Sequence, residues 1–344
     1  MMAITIHGPR DIRWERVPDP ELQRPTDAIV RVLRSCVCGS DLWRYRGLAP
    51  LRSPGGTIGH ECIGEVVEVG DEVHDFEVGD VVIVPFNHCD GTCVHCRAGV
   101  PAACVNLSVT QSGQGELARV GQADGTLVRI GNRRELPPED LMPSLLALSD
   151  VLPTGWHAAV SAGVIPGATV VVVGDGAVGL GGVIASAALG AKRVIALSGH
   201  ADRQALAREF GATDIVASRG AEAEAEVLEL TEGIGADAVL ECVGTSQAMA
   251  TAFVVARPGS TVGFVGVPNG VDEFPIRAAF SRNVGLAGGM APVRKYLPTI
   301  LPLVLDRTID PGRIFDMTLP MPDAAEGYRA MDERRSIKPM LIPA

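Results

Sequence analysis

The fold is decided by the stretch Val170-Val171-Val172-Val173-Gly174-Asp175-Gly176-Ala177-Val178-Gly179. The uninterrupted apolar run that leads into its glycines, Thr169–Val173, is typical of a buried strand in a parallel sheet. Gly174 permits a tight turn, Gly176 lets the backbone approach a pyrophosphate, and Gly179 allows a helix to pack closely on the strand. The amides at the start of that helix favour an anion. The stretch therefore predicts a dinucleotide-binding turn, with Ala177 and Val178 in the first helical turn.

Strands and helices alternate after this turn. The first helix is expected to extend to about Leu189, and the later elements are predicted at Arg193–Leu197, Asp202–Phe210, Asp214–Val216, Glu222–Thr231, Ala238–Glu241, Ser246–Val255 and Thr261–Val265. Short apolar strands that alternate with helices of about ten residues indicate βαβ units on a parallel sheet. We therefore predict a doubly wound Rossmann domain over residues 148–291.

The N-terminal part of the chain has a different pattern. Residues 1–147 are predicted to form strands and turns, because β-branched residues recur in stretches such as Ile63–Gly70 and helical periodicity is scarce. From Pro292 the alternation stops, and Arg294–Leu305 has the pattern of an amphipathic helix. We expect residues 292–344 to return to the first domain. The predicted fold class is α/β, with a mostly-β domain and a parallel-sheet domain.

Four cysteines in one short polar loop form a second motif. They are Cys89, Cys93, Cys96 and Cys104, separated by three, two and seven residues. Four thiolates at such spacings can surround a tetrahedral zinc ion in a closed structural site that has no open position for a substrate. His95 could replace one thiol, and four unrelated free thiols are the alternative to a metal site. We predict a structural zinc that stabilises this loop.

Charge and hydropathy exclude several classes of protein. The 344 residues carry 30 Lys and Arg against 41 Asp and Glu, a net charge of −11, without a dense basic run. A nucleic acid or an anionic membrane surface is therefore not an expected partner. The uncharged stretch 176–191 is shorter than the roughly 20 apolar residues of a membrane helix, and no signal-peptide pattern is visible. We expect a cytoplasmic protein whose clustered cysteines stay reduced.

Three further potential metal ligands are scattered along the chain. Cys38 begins the sequence Cys-Gly-Ser-Asp, His60 lies in Gly-His-Glu, and Asp150 precedes Val-Leu-Pro-Thr-Gly. Taken singly, each is a weak signal, because a cysteine before a glycine or a lone histidine is usually structural. Taken in order with the four-cysteine loop and the glycine turn, they resemble the zinc-containing medium-chain dehydrogenase/reductase family over essentially the whole chain.

The resemblance implies a GroES-like catalytic domain, residues 1–147 completed by 292–344, with an inserted Rossmann domain. Cys38, His60 and Asp150 would hold a catalytic zinc, the second zinc of the chain. The fourth position would be open to water or substrate, with Glu61 as an occasional ligand. Many relatives have a cysteine where this chain has Asp150, and others have an acid.

Other residues take roles by the same resemblance. Asp41 would orient the histidine ligand, and Ser40 would relay the proton of the alcohol. Trp43 stands where many relatives have the histidine that ends this relay, so the route beyond Ser40 is left open. The residues that resemble the family's nicotinamide contacts are Thr154, Val265, Gly266 and Val267.

The implied reaction is hydride transfer between a nicotinamide and a carbon whose oxygen is polarised by zinc. We predict an alcohol dehydrogenase that works mainly as a carbonyl reductase on a small-molecule substrate. Its relatives are dimers or tetramers, so a homodimer or homotetramer is expected. The nearest alternative is a polyol or sugar dehydrogenase of the same family. A zinc-ribbon binding module without activity is suggested by the four-cysteine loop alone, but the net charge and the glycine turn count against it.

The residues after the second strand of the parallel sheet predict a preference for NADP(H) over NAD(H). An NAD-selective site places an acid there to accept from the ribose 2′-hydroxyl, and this chain has Ser198. No carboxylate is therefore expected to repel a 2′-phosphate, which His200, Arg203 and Arg219 are expected to bind. Asp202 is the alternative, because it would bind the ribose if the strand ended later.

Overall fold

The computed structural model describes residues 1–51, 53–269 and 274–344, and it divides into two compact units. The first unit comprises Met1–Asp150 and Pro292–Ala344, and the second comprises Val151–Ala291. The predicted boundary at residue 148 lies in a 3₁₀ helix, Ala147–Ser149. The predicted α/β class is confirmed, because the first unit is built mainly on antiparallel strands and the second on a parallel sheet.

The first unit consists mainly of short strands. Up to Asp150 its elements are β1 (Met2–Gly8), β2 (Asp11–Arg16), β3 (Ala28–Cys36), α1 (Asp41–Tyr45), β4 (Gly56–Thr57), β5 (Cys62–Val69), β6 (Asp80–Val84), β7 (Asn87–His88), α2 (Val94–Arg97), β8 (Ser108–Val109), β9 (Leu117–Val120), α3 (Ala123–Thr126), β10 (Val128–Asn132) and α4 (Met142–Leu146).

The second unit alternates strands and helices, and the chain then returns to the first unit. The elements of the second unit are α5 (Val151–Ser161), β11 (Thr169–Val173), α6 (Ala177–Ala188), β12 (Arg193–Leu197), α7 (Ala201–Glu209), β13 (Asp214–Val216), α8 (Ala221–Leu230), β14 (Ala236–Glu241), α9 (Ser246–Val255), β15 (Ala256–Phe264), α10 (Ile276–Arg282) and β16 (Gly285–Gly288). The C-terminal elements are α11 (Val293–Leu305), β17 (Met317–Pro320), α12 (Ala324–Asp332) and β18 (Pro339–Ile342).

A seven-stranded sheet forms the centre of the first unit. Its strands follow the order β10-β6-β5-β3-β18-β17, and β9 also pairs with β3. The C-terminal strand β18 lies antiparallel to β3, with Met340 opposite Cys36. The core around this sheet contains Ile4, Val30 and Tyr328, all fully buried. The tail of the chain is therefore part of the same core as its N-terminal strands.

The second unit is built on a six-stranded parallel sheet with the order β13-β12-β11-β14-β15-β16. Its strands β11, β12 and β13 and its helix α9 have the predicted bounds. Strand β15 begins at Ala256, several residues before the predicted start at Thr261. Strand β16 was not predicted, because Gly-Leu-Ala-Gly has none of the β-branched residues that mark a strand. Within the described residues, no helix has both the length and the apolar character needed to cross a membrane.

The glycine turn after β11 shows why glycine is needed at one position and allowed at another. Gly174 has a φ of +116°, a conformation that other residues adopt only with strain. A Cβ added to Gly179 would lie 2.0 Å from the carbonyl oxygen of Gly174. A Cβ added to Gly176 would meet no atom within 4 Å. The packing of α6 on β11 therefore requires glycine at 179, whereas the fold alone does not require it at 176.

We expect Gly179→Ala to lower the free energy of unfolding by about 1–3 kcal/mol, because the methyl group forces α6 away from the turn. Gly176→Ala is the matched control, and its cost should stay below about 1 kcal/mol. Thermal or urea unfolding of the two variants without added nucleotide compares them directly. Equal destabilisation by both would contradict this account of the turn.

Candidate metal centre and dinucleotide site

Four side chains of the first unit converge in one place. Cys38 follows β3, His60 and Glu61 precede β5, and Asp150 ends the N-terminal segment of the unit. Each of the four offers a ligand atom within 4.8 Å of the others. The structure thus brings together Cys38, His60 and Asp150, which the sequence separates by many residues, and places Glu61 beside them.

The loop before β5 holds His60 in place. Gly59 has a φ of +89°, and a Cβ there would lie 2.3 Å from the side chain of Gln114. Gln114 donates to the carbonyl of Cys36 at 2.9 Å and accepts from the hydroxyl of Tyr328 at 2.9 Å. Gln114 thus braces both ligand-bearing loops, a role that no motif in the sequence signals.

The ring of His60 lies between two carboxylates. Its Nδ1 is 3.5 Å from Oδ1 of Asp41, and its Nε2 is 3.4 Å from Oδ2 of Asp150. Asp41 also accepts from the backbone amide of Cys38 at 3.2 Å. A histidine ligand is commonly held in this way, with one nitrogen bound to a carboxylate and the other directed at the metal.

The electrostatics of this group fit a bound cation. Burial raises the pKa of the Cys38 thiol, and the nearby Glu61 carboxylate adds to the shift. Burial alone would lower the pKa of His60, but the charges of Asp41 and Cys38 reverse this and raise it well above its usual value. The acidic neighbours therefore favour a proton on the ring. A divalent cation would replace that proton, and one thiolate, one imidazole and carboxylates are ligands that zinc accepts.

Glu61 forms a fully buried ion pair with a residue from the other end of the chain. Its Oε1 accepts from Nζ of Lys338 at 2.7 Å, and Lys338 also donates to the carbonyl of Val37 at 3.2 Å. Both side chains are 0% exposed. Burial raises the pKa of the Glu61 carboxyl, and the Lys338 ammonium opposes that shift. Sequence reasoning missed Lys338, because a single lysine in a mixed tail carries no periodic or motif signal.

Ser40 lies beside the group without being a ligand. It stands at the N-terminus of α1, but its hydroxyl does not cap that helix. Instead, it donates to the sulfur of Cys38 at 3.3 Å. The indole ring of Trp43, in the same helix, packs under the guanidinium of Arg46 at 5.7 Å. The hydroxyl at position 40 is therefore available next to the candidate metal position.

The four-cysteine loop brings its sulfurs close together. Sγ of Cys93 lies 3.5 Å from Sγ of Cys96 and 3.9 Å from Sγ of Cys104. These separations are close to the roughly 3.8 Å edge of a tetrahedron with zinc–sulfur bonds of about 2.3 Å. The residues whose ligand atoms all lie within 4.8 Å of one another are Asp90, Cys93, Cys96 and Cys104. Cys89 is not among them, and its sulfur donates to the carbonyl of Gly125 at 3.1 Å.

The carboxylate of Asp90 already has partners in the loop. Its Oδ1 accepts from the amides of Thr92 and Cys93, each at 2.8 Å, and its Oδ2 accepts from the side chain of Asn106 at 2.9 Å. These bonds hold the pKa of Asp90 below its usual range, although burial acts in the other direction. Asp90 thus shapes the turn between the first two cysteines.

The parallel sheet of the second unit gathers the predicted cofactor residues at one edge. Strands β11 and β12 are neighbours with Val173 opposite Leu197, so the residues that follow them lie side by side. Helix α6 begins at Ala177 without a side-chain cap, and Val178 and Gly179 follow in its first turn. Its first amides therefore have no capping side chain, as expected of a helix that receives a pyrophosphate.

One step of the cofactor prediction is wrong. A carboxylate does lie beside Ser198, because Oδ2 of Asp175 accepts from its hydroxyl at 3.0 Å. His200 and Arg203 contact the same carboxylate. This acid belongs to the glycine turn after β11, whereas an NAD-selective site is expected to have its acid at the end of β12. Asp202 lies exposed in α7, since β12 ends at Leu197.

Arg219 lies at the same edge of the sheet, and the remaining predicted cofactor residues lie on α5 and after β15. Arg219 lies over Gly199, whose added Cβ would be 3.0 Å from the guanidinium. Thr154 is buried in α5. Val265, Gly266 and Val267 follow β15, and a Cβ on Gly266 would lie 2.1 Å from the amide of Gly244. The loops after β14 and β15 therefore meet backbone to backbone.

Comparison with known proteins matches parts of both units to known domain families. Residues 24–130 match the model of the alcohol dehydrogenase GroES-like domain, and residues 177–306 match that of zinc-binding dehydrogenases. The chain is 35% identical to zinc-type alcohol dehydrogenase B of Aspergillus flavus, over 95% of this chain and 78% of that protein. It is 36% identical to a probable zinc-binding alcohol dehydrogenase of Mycobacterium tuberculosis, over 95% and 84% of the two chains. The solved alcohol dehydrogenase of Thermus sp. ATN1 superimposes with a TM-score of 0.89 at 31% identity, over 100% of both chains.

The buried ion pair gives a direct test of the centre. We expect Lys338→Met to lower the free energy of unfolding by about 3–5 kcal/mol, because it leaves the Glu61 carboxylate buried without its partner. Adding Glu61→Gln should recover most of this loss, since the neutral amide needs no counter-charge. Urea unfolding of wild type and both variants supplies the measurement. A loss below about 1 kcal/mol in the single variant would show that the pair does not stabilise the fold.

Proposed function

The chain belongs to the zinc-containing medium-chain dehydrogenase/reductase family, whose members oxidise alcohols and reduce carbonyl compounds, and we propose that it works as an NADP(H)-linked carbonyl reductase. The observation that carries the proposal is the convergence of Cys38, His60 and Asp150 with the Ser40 hydroxyl beside them. A thiolate, an imidazole and a carboxylate leave room for a substrate oxygen at a tetrahedral metal.

We assign the catalytic zinc to Cys38, His60 and Asp150. Glu61 is ion-paired with Lys338 and is not assigned as a constant ligand. When bound, zinc supplies a Lewis acid for the alcohol or carbonyl oxygen, and the nicotinamide supplies or accepts the hydride. Asp41 orients His60 through Nδ1. Ser40 passes the hydroxyl proton between the substrate and the surface, which its partial exposure supports.

The cofactor is assigned to the edge of the parallel sheet. The pyrophosphate would lie at Gly174, Gly176 and the first amides of α6. The cations near Ser198 support a 2′-phosphate, because Arg203 and Arg219 both lie at this edge with His200. Cells commonly keep NADP(H) reduced, so this preference favours carbonyl reduction as the working direction.

We propose that the protein is a homodimer or homotetramer and that it works in the cytoplasm. All eight cysteines lie in the described part of the chain and are free thiols. Free thiols fit a reducing compartment, where metal sites are commoner than disulfides.

We expect two zinc ions per chain, the second at Cys89, Cys93, Cys96 and Cys104. Cys38→Ala should abolish turnover and remove one zinc while leaving the melting temperature nearly unchanged. Cys96→Ala should instead lower the melting temperature, because a structural zinc contributes folding free energy directly. Elemental analysis of unchelated protein, together with thermal unfolding, measures both effects. One zinc or fewer in the wild type would contradict the pair of sites.

We expect a higher kcat/KM for NADPH than for NADH in a screen of aldehydes and ketones. Ser198→Asp should then reduce the value for NADPH far more than that for NADH, because a new carboxylate repels the 2′-phosphate. Ser198→Ala, which removes the hydroxyl without adding charge, is the matched control. If the wild type works better with NADH, the NADP(H) assignment is wrong.

A further inference from the structure

His200 and Arg203, two of the residues proposed to bind the 2′-phosphate, already contact one acid. Oδ2 of Asp175 lies 3.0 Å from the hydroxyl of Ser198 and 3.0 Å from Nδ1 of His200. Oδ1 of Asp175 lies 3.3 Å from Nη1 of Arg203. We call these four residues the Asp175 cluster. It joins the glycine turn after β11 to the segment that begins α7.

The position of Asp175 is not explained by the needs of the fold. It stands between Gly174 and Gly176, and it does not cap the helix that starts at Ala177. Its side chain is only 17% exposed, so its charge is turned into the site rather than toward solvent. Burial alone would raise the pKa of Asp175, but the bond from His200 and the charge of Arg203 lower it, so the group is ionised at neutral pH.

A cofactor bound at this turn would bring its ribose close to these four side chains. A 2′-phosphate carries about −1.5 to −2 charges and needs the same donors that now contact Asp175. A 2′-hydroxyl needs only one acceptor, and an ionised carboxylate is the usual one. The Asp175 carboxylate thus disfavours the 2′-phosphate of NADP(H) and favours the 2′-hydroxyl of NAD(H).

We propose that Asp175 is a specificity-determining residue that weakens binding of the 2′-phosphate, so that the preference for NADP(H) over NAD(H) is smaller than the cations of the site alone would give. This inference rests on the proposed dinucleotide site. With a 2′-hydroxyl, the Asp175 cluster stays intact and the carboxylate accepts from the ribose. With a 2′-phosphate, Arg203 and His200 turn to the phosphate, and Asp175 keeps an uncompensated charge beside it. Arg219 and Arg203 together outweigh that charge, so Asp175 weakens the binding of NADP(H) without preventing it.

The test is calorimetric binding of NADP⁺ and NAD⁺ to the full-length holoprotein, in wild type and in Asp175→Asn. The amide keeps an acceptor for Ser198 but removes the charge. We expect the affinity for NADP⁺ to rise about tenfold, the size expected of one unit charge a few ångströms away in a partly solvated site. The affinity for NAD⁺ should stay level or fall, because the ribose hydroxyl loses a charged acceptor.

Three further variants separate charge from structure. Asp202→Asn makes the same change in net charge on the exposed face of α7 and should leave the ratio of the two affinities as in wild type. Asp175→Glu keeps the charge and should keep the ratio near that of wild type. Asp175→Ser is a second neutral variant, to be used if Asp175→Asn does not fold, and it should shift the ratio in the same direction.

The outcomes separate this inference from the proposed function. Equal loss of both affinities in the neutral variants would show that Asp175 only holds α7 against the turn, which overturns the inference and leaves the dinucleotide site standing. Absence of binding of either nucleotide to the wild type would overturn the proposed function itself. A rise confined to NADP⁺, and also seen with 2′,5′-ADP against 5′-AMP, is the result that supports the assignment.

Discussion

The first unit depends on balancing the charges that it buries. Glu61, Asp41 and Asp150 lie out of solvent together with the Cys38 thiol, and a charge moved into the interior is unfavourable unless it is paired. Lys338 neutralises one of these acids directly. Lys338 immediately precedes β18, so the pairing of β18 with β3 places this lysine next to Glu61. A divalent cation at the centre would balance the remaining negative charge.

The second unit solves a related problem at the edge of its sheet. Parallel strands bring the ends of β11, β12, β14 and β15 to one side, so donors that follow β12 meet the Asp175 carboxylate that follows β11. Glu241, the last residue of β14, is instead held locally, because its carboxylate accepts from the amides of Val243 and Gly244 in the loop that meets Gly266. In both units, the side chains proposed to act on ligands are held by hydrogen bonds before any ligand arrives, which reduces the cost of ordering them.

Residues with a local pattern were predictable, and residues with a remote partner were not. The run Thr169–Val173 and the helix Ser246–Val255 were predicted to the residue, because apolar periodicity reports burial directly. The grouping of Cys38, His60 and Asp150 came from a resemblance, since their spacing alone carries no geometry. Lys338 and Gln114 act through tertiary contacts that leave no local trace. Asp175 lies between two glycines of the motif itself, but its contacts with Ser198 and His200 could not be predicted. The direction of a side chain in a turn depends on the neighbouring strand, which the turn sequence does not specify.

The route of the chain through the two units has a consequence for its synthesis. The first unit is interrupted after Asp150 and is completed only by Pro292–Ala344, whereas the second unit is one continuous segment. On the ribosome the second unit can therefore form its core while the first is still waiting for strand β18. At roughly 5–20 residues per second, Lys338 is added a few seconds after Ala291. During that interval Glu61 has no lysine, and Ser35 and Cys36 of β3 lack the strand that pairs with them. The first unit is thus the last part of this protein to be completed, and a premature stop before β18 would remove both Lys338 and the partner strand of β3.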